Sequence, residues 1–206
     1  MSEATQGDCG KSNSTLGVVL AGGNSSRMGQ DKATLKLASG ETFLERAIAN
    51  LAQACRSVAV SGRAVDRADV FSIADLKPQL GPAMAVWSAV QFAKERGFEA
   101  VLVVPVDMPL VDAACLRRLV AASREHEGAR GEALPVCAMA ADGVPHPLLG
   151  VYPVSLEREL RNLAESERRS LLGWLQSRLH RTVELPEAGM RDFNTPADVL
   201  SMAERP

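Results

Sequence analysis

The sequence predicts an α/β fold in which helices cover a mostly parallel β-sheet. Short, almost entirely apolar runs alternate along the chain with longer segments whose apolar residues recur at helical spacing. Such apolar runs are typical of strands that are buried on both faces, as in parallel sheets. Because parallel neighbours need a crossover connection, the alternation indicates right-handed β–α–β units within one sheet.

The first half of the chain shows this alternation most clearly. We predict strands at residues 16–21, 57–62, 70–75 and 100–109, and helices within the segments 42–55, 82–97 and 112–127. The second of these helices has an opening proline, Pro82, and a closing glycine, Gly97, where helices favour them. The run AVLVVPVDMP at 100–109 is the strongest candidate for a central strand.

The second half of the chain is less regular. We predict strands at 134–140, 148–154 and 182–185, and helices at 156–165 and 170–179. No internal repeat and no linker rich in Pro, Gly or Ser divides the chain, so residues 16–206 are predicted to form one domain. The first 15 residues lack the apolar centre of a secretion signal, and we expect them to be a disordered leader.

Composition argues against several classes of function. The formal net charge of -2 gives no overall field that would attract nucleic acid. No stretch approaches the ~20 apolar residues of a membrane span. The four cysteines are far apart and form no CxxC pair, which favours reduced thiols over a disulfide framework or a zinc site. We therefore expect a cytoplasmic protein with neither nucleic-acid nor membrane partners.

A glycine-rich loop with the sequence LAGGNSSRMGQDK follows the first predicted strand. Ligands of open α/β sheets bind beyond the carboxyl ends of the strands, where this loop begins. Gly22 and Gly23 allow backbone N–H groups to approach a ligand closely, and Arg27 and Lys32 add two positive charges. The loop therefore predicts a phosphate site. The alternative, an ordinary glycine turn with solvated cations, leaves the clustering of the two charges unexplained.

Two common phosphate-binding motifs are absent from this loop. A Walker A loop reads GxxxxGK, whereas five residues separate Gly23 from Gly29 here and Gln30 follows. The dinucleotide motif GxGxxG is absent as well. The loop instead resembles the nucleotide-binding signature of the MobA-like nucleotidyltransferases.

Five further segments resemble that family in the same order along the chain. They are LGP (80–82), VPVDMPLV (104–111), HPLLGVY (146–152), RRSLLGWL (168–175) and FNTPADV (193–199). The resemblance extends over nearly all of residues 16–205. It implies a three-layer Rossmann-like domain of the nucleotide-diphospho-sugar transferase type. It also implies that the nucleotide contacts Leu20, Ala21, Gly22, Gly23, Lys32, Ser61, Asp75 and Gly81.

Two aspartates follow predicted strands. Asp107 comes just after VLVVP, beside the loop of the first strand, where a carboxylate could hold Mg²⁺ between phosphates. The alternative is a turn-forming aspartate before Pro109, but the resemblance implies that Asp107 is the magnesium ligand. Asp75 ends the third predicted strand, and it could equally cap a turn or contact the nucleotide.

The chain departs from the family pattern in the nucleotide region. Ser61 stands where the family often has an asparagine, and Met84 and Ala85 replace the last two residues of the common GPLAG. If base recognition depends on close backbone approach there, these departures weaken the expectation of guanine. LAGG instead of LAAG favours guanine, because the cytidylyl relatives tend to carry LAAG.

Three residues of the second half are implied to contact the acceptor substrate: His146, Arg168 and Asn194. Each has an ordinary structural alternative. His146 lies between two prolines and could be a surface residue, Arg168 precedes a helix, and Asn194 could cap the last helix.

The resemblance implies that the phosphate of a molybdopterin-type acceptor attacks the α-phosphorus of GTP in line, releasing pyrophosphate. A phosphate monoester has a second pKa of ~6, so it needs no general base near neutrality. Arg27, Lys32 and Asp107 would be the catalytic residues, with Mg²⁺ on Asp107. Rival hypotheses are cytidylyl transfer to molybdopterin, transfer to a sugar phosphate, and a non-catalytic nucleotide-binding subunit. Molybdoenzymes or cofactor-delivery proteins are the further partners considered.

Overall fold

The structure is a computed structural model that describes residues 12–22, 31–74, 80–125, 134–193 and 198. Its strands are β1 (Ser12–Leu20), β2 (Cys55–Ser61), β3 (Val70–Ile73), β4 (Ala100–Pro105), β5 (Val136–Met139), β6 (Pro145–Pro153) and β7 (Arg181–Glu184). Its α-helices are α1 (Phe43–Ala54), α2 (Pro82–Glu95), α3 (Ala113–Arg124), α4 (Glu157–Glu165) and α5 (Leu171–Gln176). None of these helices is long and apolar enough to cross a membrane.

The seven strands form one sheet in the order β3-β2-β1-β4-β6-β5-β7. The pairs β1–β2, β2–β3, β1–β4 and β5–β7 are parallel, whereas β6 runs antiparallel to β4 and β5. The predicted α/β class with a mostly parallel sheet is confirmed. Leu20 pairs with Ser61 on one side and with Pro105 on the other. The loops after β1, β2 and β4 therefore leave the sheet at the same edge.

Helices cover both faces of the sheet, which gives three layers. On one face α1 and α3 pack on alternate strand residues such as Val19 and Leu102. On the other face α2, α4 and α5 pack on the intervening residues, such as Val18 and Val103. Successive side chains of a strand point to opposite faces, so a nearly continuous apolar run supplies both cores.

Local sequence features fix where helices α1 and α2 begin. Thr42 and Glu45 form a capping box at α1, in which each satisfies a backbone N–H of the other. Gly81 precedes α2 with φ 87° and ψ -173°, a conformation essentially restricted to glycine, and Pro82 takes the first helical position. This conformation explains why a glycine stands directly before the helix.

Most element boundaries differ from the sequence prediction by a few residues, and three of these differences have a visible cause. The strand predicted at 16–21 begins at Ser12, where β1 already pairs with β2. The strand predicted at 100–109 ends at Pro105, because the chain turns after the bond from Val106 N–H to Leu20 O. The helix predicted at 170–179 ends at Gln176, since the Ser177 hydroxyl bonds to the Trp174 carbonyl and competes with the helical pattern.

Three cysteines are free thiols buried in the protein: Cys55, Cys115 and Cys137. Burial raises the pKa of Cys55 and of Cys137 to about 12. Because the thiolate is the reactive form, these two side chains act as small apolar core residues.

Candidate functional site

The centre of the candidate site is an ion pair between Lys32 and Asp107. The Lys32 Nζ donates to Asp107 Oδ2 at 2.8 Å, and the two side chains are 20% and 25% exposed. The pair is therefore partly shielded but still open to solvent. Lys32 begins a 3-10 turn, Lys32–Thr34, that Asp31 caps by accepting the N–H of Ala33.

The backbone around Asp107 is held from two sides. Val106 N–H bonds to Leu20 O at 3.1 Å, which ties the turn after β4 to the end of β1. Phe193 N–H bonds to Asp107 O at 2.9 Å, which brings the C-terminal part of the chain to the site. Phe193 is buried and its ring packs edge-on against Phe43 of α1, so this contact is anchored in the core.

A second carboxylate, Asp192, lies near Asp107. The pKa of Asp192 is raised, first because protein atoms partly desolvate its carboxyl, and second because the Asp107 charge repels its ionised form. His146 and Lys32 act in the opposite direction. The four ionisable groups of Lys32, Asp107, His146 and Asp192 therefore share one electrostatic field.

Asp192 is a site residue that was not predicted from the sequence. The segment quoted as family-like began one residue later, at Phe193, although the aspartate directly precedes it. A carboxylate next to that motif was the available signal. Two neighbouring carboxylates are a donor set that fits Mg²⁺, which takes one or two carboxylates and completes its shell with water and phosphate oxygens. A cation between them would also relieve the repulsion that raises the pKa of Asp192.

The described nucleotide-region residues lie at the same edge of the sheet. Ala21 N–H bonds to Ser61 O at 2.9 Å, and Gly22 is exposed. The side chains of Leu20 and Ser61 are buried, so Leu20 can offer a ligand only its backbone. Direct nucleotide contact by these residues and by Gly81 stays a prediction.

Four predicted site residues lie outside the described residues: Gly23, Arg27, Asp75 and Asn194. Of the three predicted catalytic residues, the structure thus brings together Lys32 and Asp107. Two of the acceptor residues are described. His146 lies in β6 and faces the field of Asp192, whereas Arg168 is exposed between α4 and α5. In the described part of the chain, no hydrogen bond or ion pair joins Arg168 to the Lys32–Asp107 pair.

Met84 requires a correction. From the sequence, the changes at Met84 and Ala85 were expected to bear on recognition of the nucleotide base. Met84 is only 2% exposed, and its side chain packs in the core between α2 and the sheet. Its neighbour Ala83 is also fully buried. The two buried positions at the start of α2 therefore hold one small side chain, at 83, and one large side chain, at 84. The departure from the family pattern at Met84 therefore affects core packing and not the nucleotide. Ala85 is partly exposed near the start of α2.

A lysine against a carboxylate where two parallel strands end, next to glycine turns, is an arrangement typical of α/β proteins that bind phosphorylated nucleotides. Comparison with known proteins narrows this class. The MobA-like NTP transferase domain matches residues 17–182, and the chain belongs to that family. The resemblance stated from the sequence, and the nucleotidyltransferase class that it implied, are confirmed.

Relatives and solved structures agree with this membership. The chain is 40% identical to a protein of Rhodopirellula baltica named "Probable molybdenum cofactor guanylyltransferase", over 89% of each chain. It is 34% identical to the molybdenum cofactor guanylyltransferase of Rhizobium johnstonii, over 92% of this chain and 91% of that one. The fold matches molybdopterin-guanine dinucleotide biosynthesis protein A of Archaeoglobus fulgidus with a TM-score of 0.71 and 21% identity, covering 92% of this chain and 97% of that one.

Proposed function

We propose that the protein transfers GMP from GTP to the phosphate of the molybdenum-molybdopterin cofactor and releases pyrophosphate. The names of relatives at 40% and 34% identity support this choice of substrates. The observation that carries the proposal is the contact of Lys32 with Asp107 at the edge where β1 and β4 end. That edge offers a triphosphate a cation, exposed glycine backbone and carboxylates within one small region.

Charge neutralisation is the first task of this site. A phosphate nucleophile and a triphosphate repel each other, and Lys32 would reduce that repulsion by contacting the triphosphate. Arg27, assigned from the family signature, would add a second cation. Because the nucleophile is already ionised near neutrality, no protein base has to remove a proton from it. Catalysis would then depend on alignment and preorganised charge.

Asp107 and Asp192 would hold Mg²⁺ through their carboxylates, whose charges lie close enough to repel each other. When bound, the ion would offset negative charge on phosphate oxygens. Lys32 contacts Asp107 in the free protein, and its ammonium has three N–H donors, so the same side chain could also donate to a phosphate. His146 would contact the acceptor, a role that its electrostatic effect on Asp192 from β6 supports.

A transfer assay tests the proposal. The protein is incubated with molybdenum-molybdopterin, Mg²⁺ and GTP, CTP or ATP labelled at the α-phosphate. We expect label to enter the cofactor, with equimolar pyrophosphate, from GTP only. A preference for CTP would make the protein a cytidylyltransferase instead. Absence of transfer from every nucleotide, with intact nucleotide binding, would favour a non-catalytic subunit and overturn the proposal.

We further propose that the reaction takes place in the cytoplasm. The buried, unpaired thiols of Cys55 and Cys137 are compatible with a reducing compartment. Proteins that deliver the cofactor or receive it, including molybdoenzymes, are the natural partners of this activity. Fractionation of cells that express the tagged protein would test the location, and recovery in the membrane fraction would contradict it.

A further inference from the structure

The segment Ser61–Arg63, which ends β2 and continues past it, contacts both ends of the glycine-rich loop, the first near Ala21 and the second at Asp31. On the side of β1, the Ser61 carbonyl accepts the N–H of Ala21 at 2.9 Å. On the side of Lys32, Arg63 Nη1 lies 2.6 Å from Asp31 Oδ2. One short segment therefore fixes both Ala21 and Asp31, which are ten positions apart in the sequence.

Gly62 lies directly against Gly22. A Cβ at position 62 would overlap the Cα of Gly22 and come within 2.5 Å of its N. The φ of Gly62 is 88°, which disfavours any L side chain in addition. Gly62 is itself fixed to the sheet, because its N–H bonds to Ile73 O of the edge strand β3.

Arg63 is connected with the lysine through Asp31. The Asp31 carboxylate binds Arg63 through Oδ2 and caps the following 3-10 turn through Oδ1. Lys32 is the first residue of that turn, and its ammonium contacts Asp107. The position of the lysine backbone therefore depends on a carboxylate that Arg63 holds.

We propose that Gly62 and Arg63 are positioning residues for nucleotide binding. Gly62 lets the end of β2 approach the backbone of Gly22, and Arg63 acts through Asp31 to set the position of Lys32. The inference rests on the proposed function, since it assigns these residues to the phosphate site of that reaction.

The role of the Arg63–Asp31 ion pair is tested with the variants Arg63→Gln and Asp31→Asn and with the double variant. Asparagine still caps a helical turn, so Asp31→Asn removes the charge and keeps the cap. We expect each single variant to weaken GTP affinity, measured by calorimetry with Mg²⁺, by about two- to fivefold, the range that an exposed ion pair contributes. The double variant should match the singles, because both remove one interaction. Arg63→Lys should recover part of the loss.

Arg67→Gln is the matched control. Arg67 lies in the same connection between β2 and β3 but pairs with Asp69. We expect wild-type affinity from it. The Tm of both arginine variants should fall by no more than about 4 °C, because exposed ion pairs contribute little to stability. Equal affinity of Arg63→Gln and Arg67→Gln would overturn the inference, and so would multiplying losses in the double variant, which indicate direct nucleotide contact by Arg63.

The glycine arm compares Gly62→Ala with Gly40→Ala. Gly40 has a similar φ of 85° but no atom within 4 Å of an added Cβ, so it controls for backbone strain. Gly62→Ala should bind GTP more weakly than Gly40→Ala does. Equal GTP affinities of the two variants would contradict the assignment of Gly62 as a positioning residue. Wild-type protein that binds no nucleoside triphosphate would overturn the proposed function. Wild-type binding with unaffected Arg63 variants overturns only the inference.

Discussion

The ammonium of Lys32 lies 2.8 Å from the carboxylate of Asp107, although 75 positions separate the two residues. The contact joins the turn after β1 to the turn after β4. Both strands run in the same direction and are neighbours in the sheet, so their following turns are adjacent in space. A cation and a carboxylate are thus adjacent at one edge of the sheet, as the proposed binding of a triphosphate with Mg²⁺ requires.

Lys32→Ala should lower turnover on the order of a hundredfold, which is about 3 kcal/mol of lost transition-state stabilisation. The fold should persist, because the side chain is partly exposed and Asp107 remains accessible to water. Pyrophosphate release and circular dichroism measure the two effects. Lys36→Ala, at an exposed position four residues on, should retain full activity. An unchanged rate in Lys32→Ala would remove the lysine from the mechanism.

If Asp107 holds Mg²⁺ as proposed, Asp107→Asn should reduce metal-dependent pyrophosphate release by roughly a hundredfold or more, since the amide keeps the shape and loses the negative charge. Asp142→Asn is the control, because Asp142 lies in the β5–β6 hairpin, where its side chain accepts the N–H of Val144. Full activity of Asp107→Asn at ordinary Mg²⁺ concentrations would place the metal elsewhere.

Lys32→Met should raise the affinity of the nucleotide-free protein for Mn²⁺ by about fivefold. The ammonium competes with a metal ion for Asp107, and the expected change corresponds to the upper range for exposed ion pairs. Electron paramagnetic resonance of free Mn²⁺ reports the binding, and Lys36→Met controls for a general loss of positive charge. Weaker Mn²⁺ binding in Lys32→Met would show that the two cations do not compete.

Asp192→Asn should raise the Tm at neutral pH. The pKa of Asp192 is higher in the folded protein than its ordinary value of 3.8. Ionisation of this group therefore destabilises the fold as the pH rises through the raised pKa, and the cost is absent below 3.8. The Tm difference from wild type should close as the pH falls towards that value. Added Mg²⁺ should also narrow it, and a pH-independent difference would contradict the explanation.

Met84→Ala should destabilise the protein by about 2–5 kcal/mol through the cavity that it leaves. Met84→Leu, which conserves volume, should cost less than about 1.5 kcal/mol. Neither change should alter the KM for GTP, because the side chain is buried away from the site. Denaturant unfolding and steady-state kinetics separate the two effects. A changed KM in Met84→Leu would return this position to the nucleotide site.

The meeting of Lys32 and Asp107 could be predicted from the sequence, because both follow apolar runs and parallel strands end at a common edge. Asp192 could not be placed in this way. Its location depends on the bond between Phe193 and Asp107 and on the packing of Phe193 against Phe43, which are long-range contacts without a local pattern. The burial of the Met84 side chain could not be predicted either, because it depends on how α2 is rotated about its axis against the sheet.

The bond from Phe193 to the Asp107 carbonyl has a consequence for biosynthesis on the ribosome. Lys32 and Asp107 leave the exit tunnel long before Phe193 does, so a growing polypeptide can pair the lysine and the aspartate early. It acquires the backbone tie to Asp107, and Asp192 with it, only after translation has passed that phenylalanine. The full set of contacts around Asp107 therefore forms only after Phe193 has emerged from the ribosome.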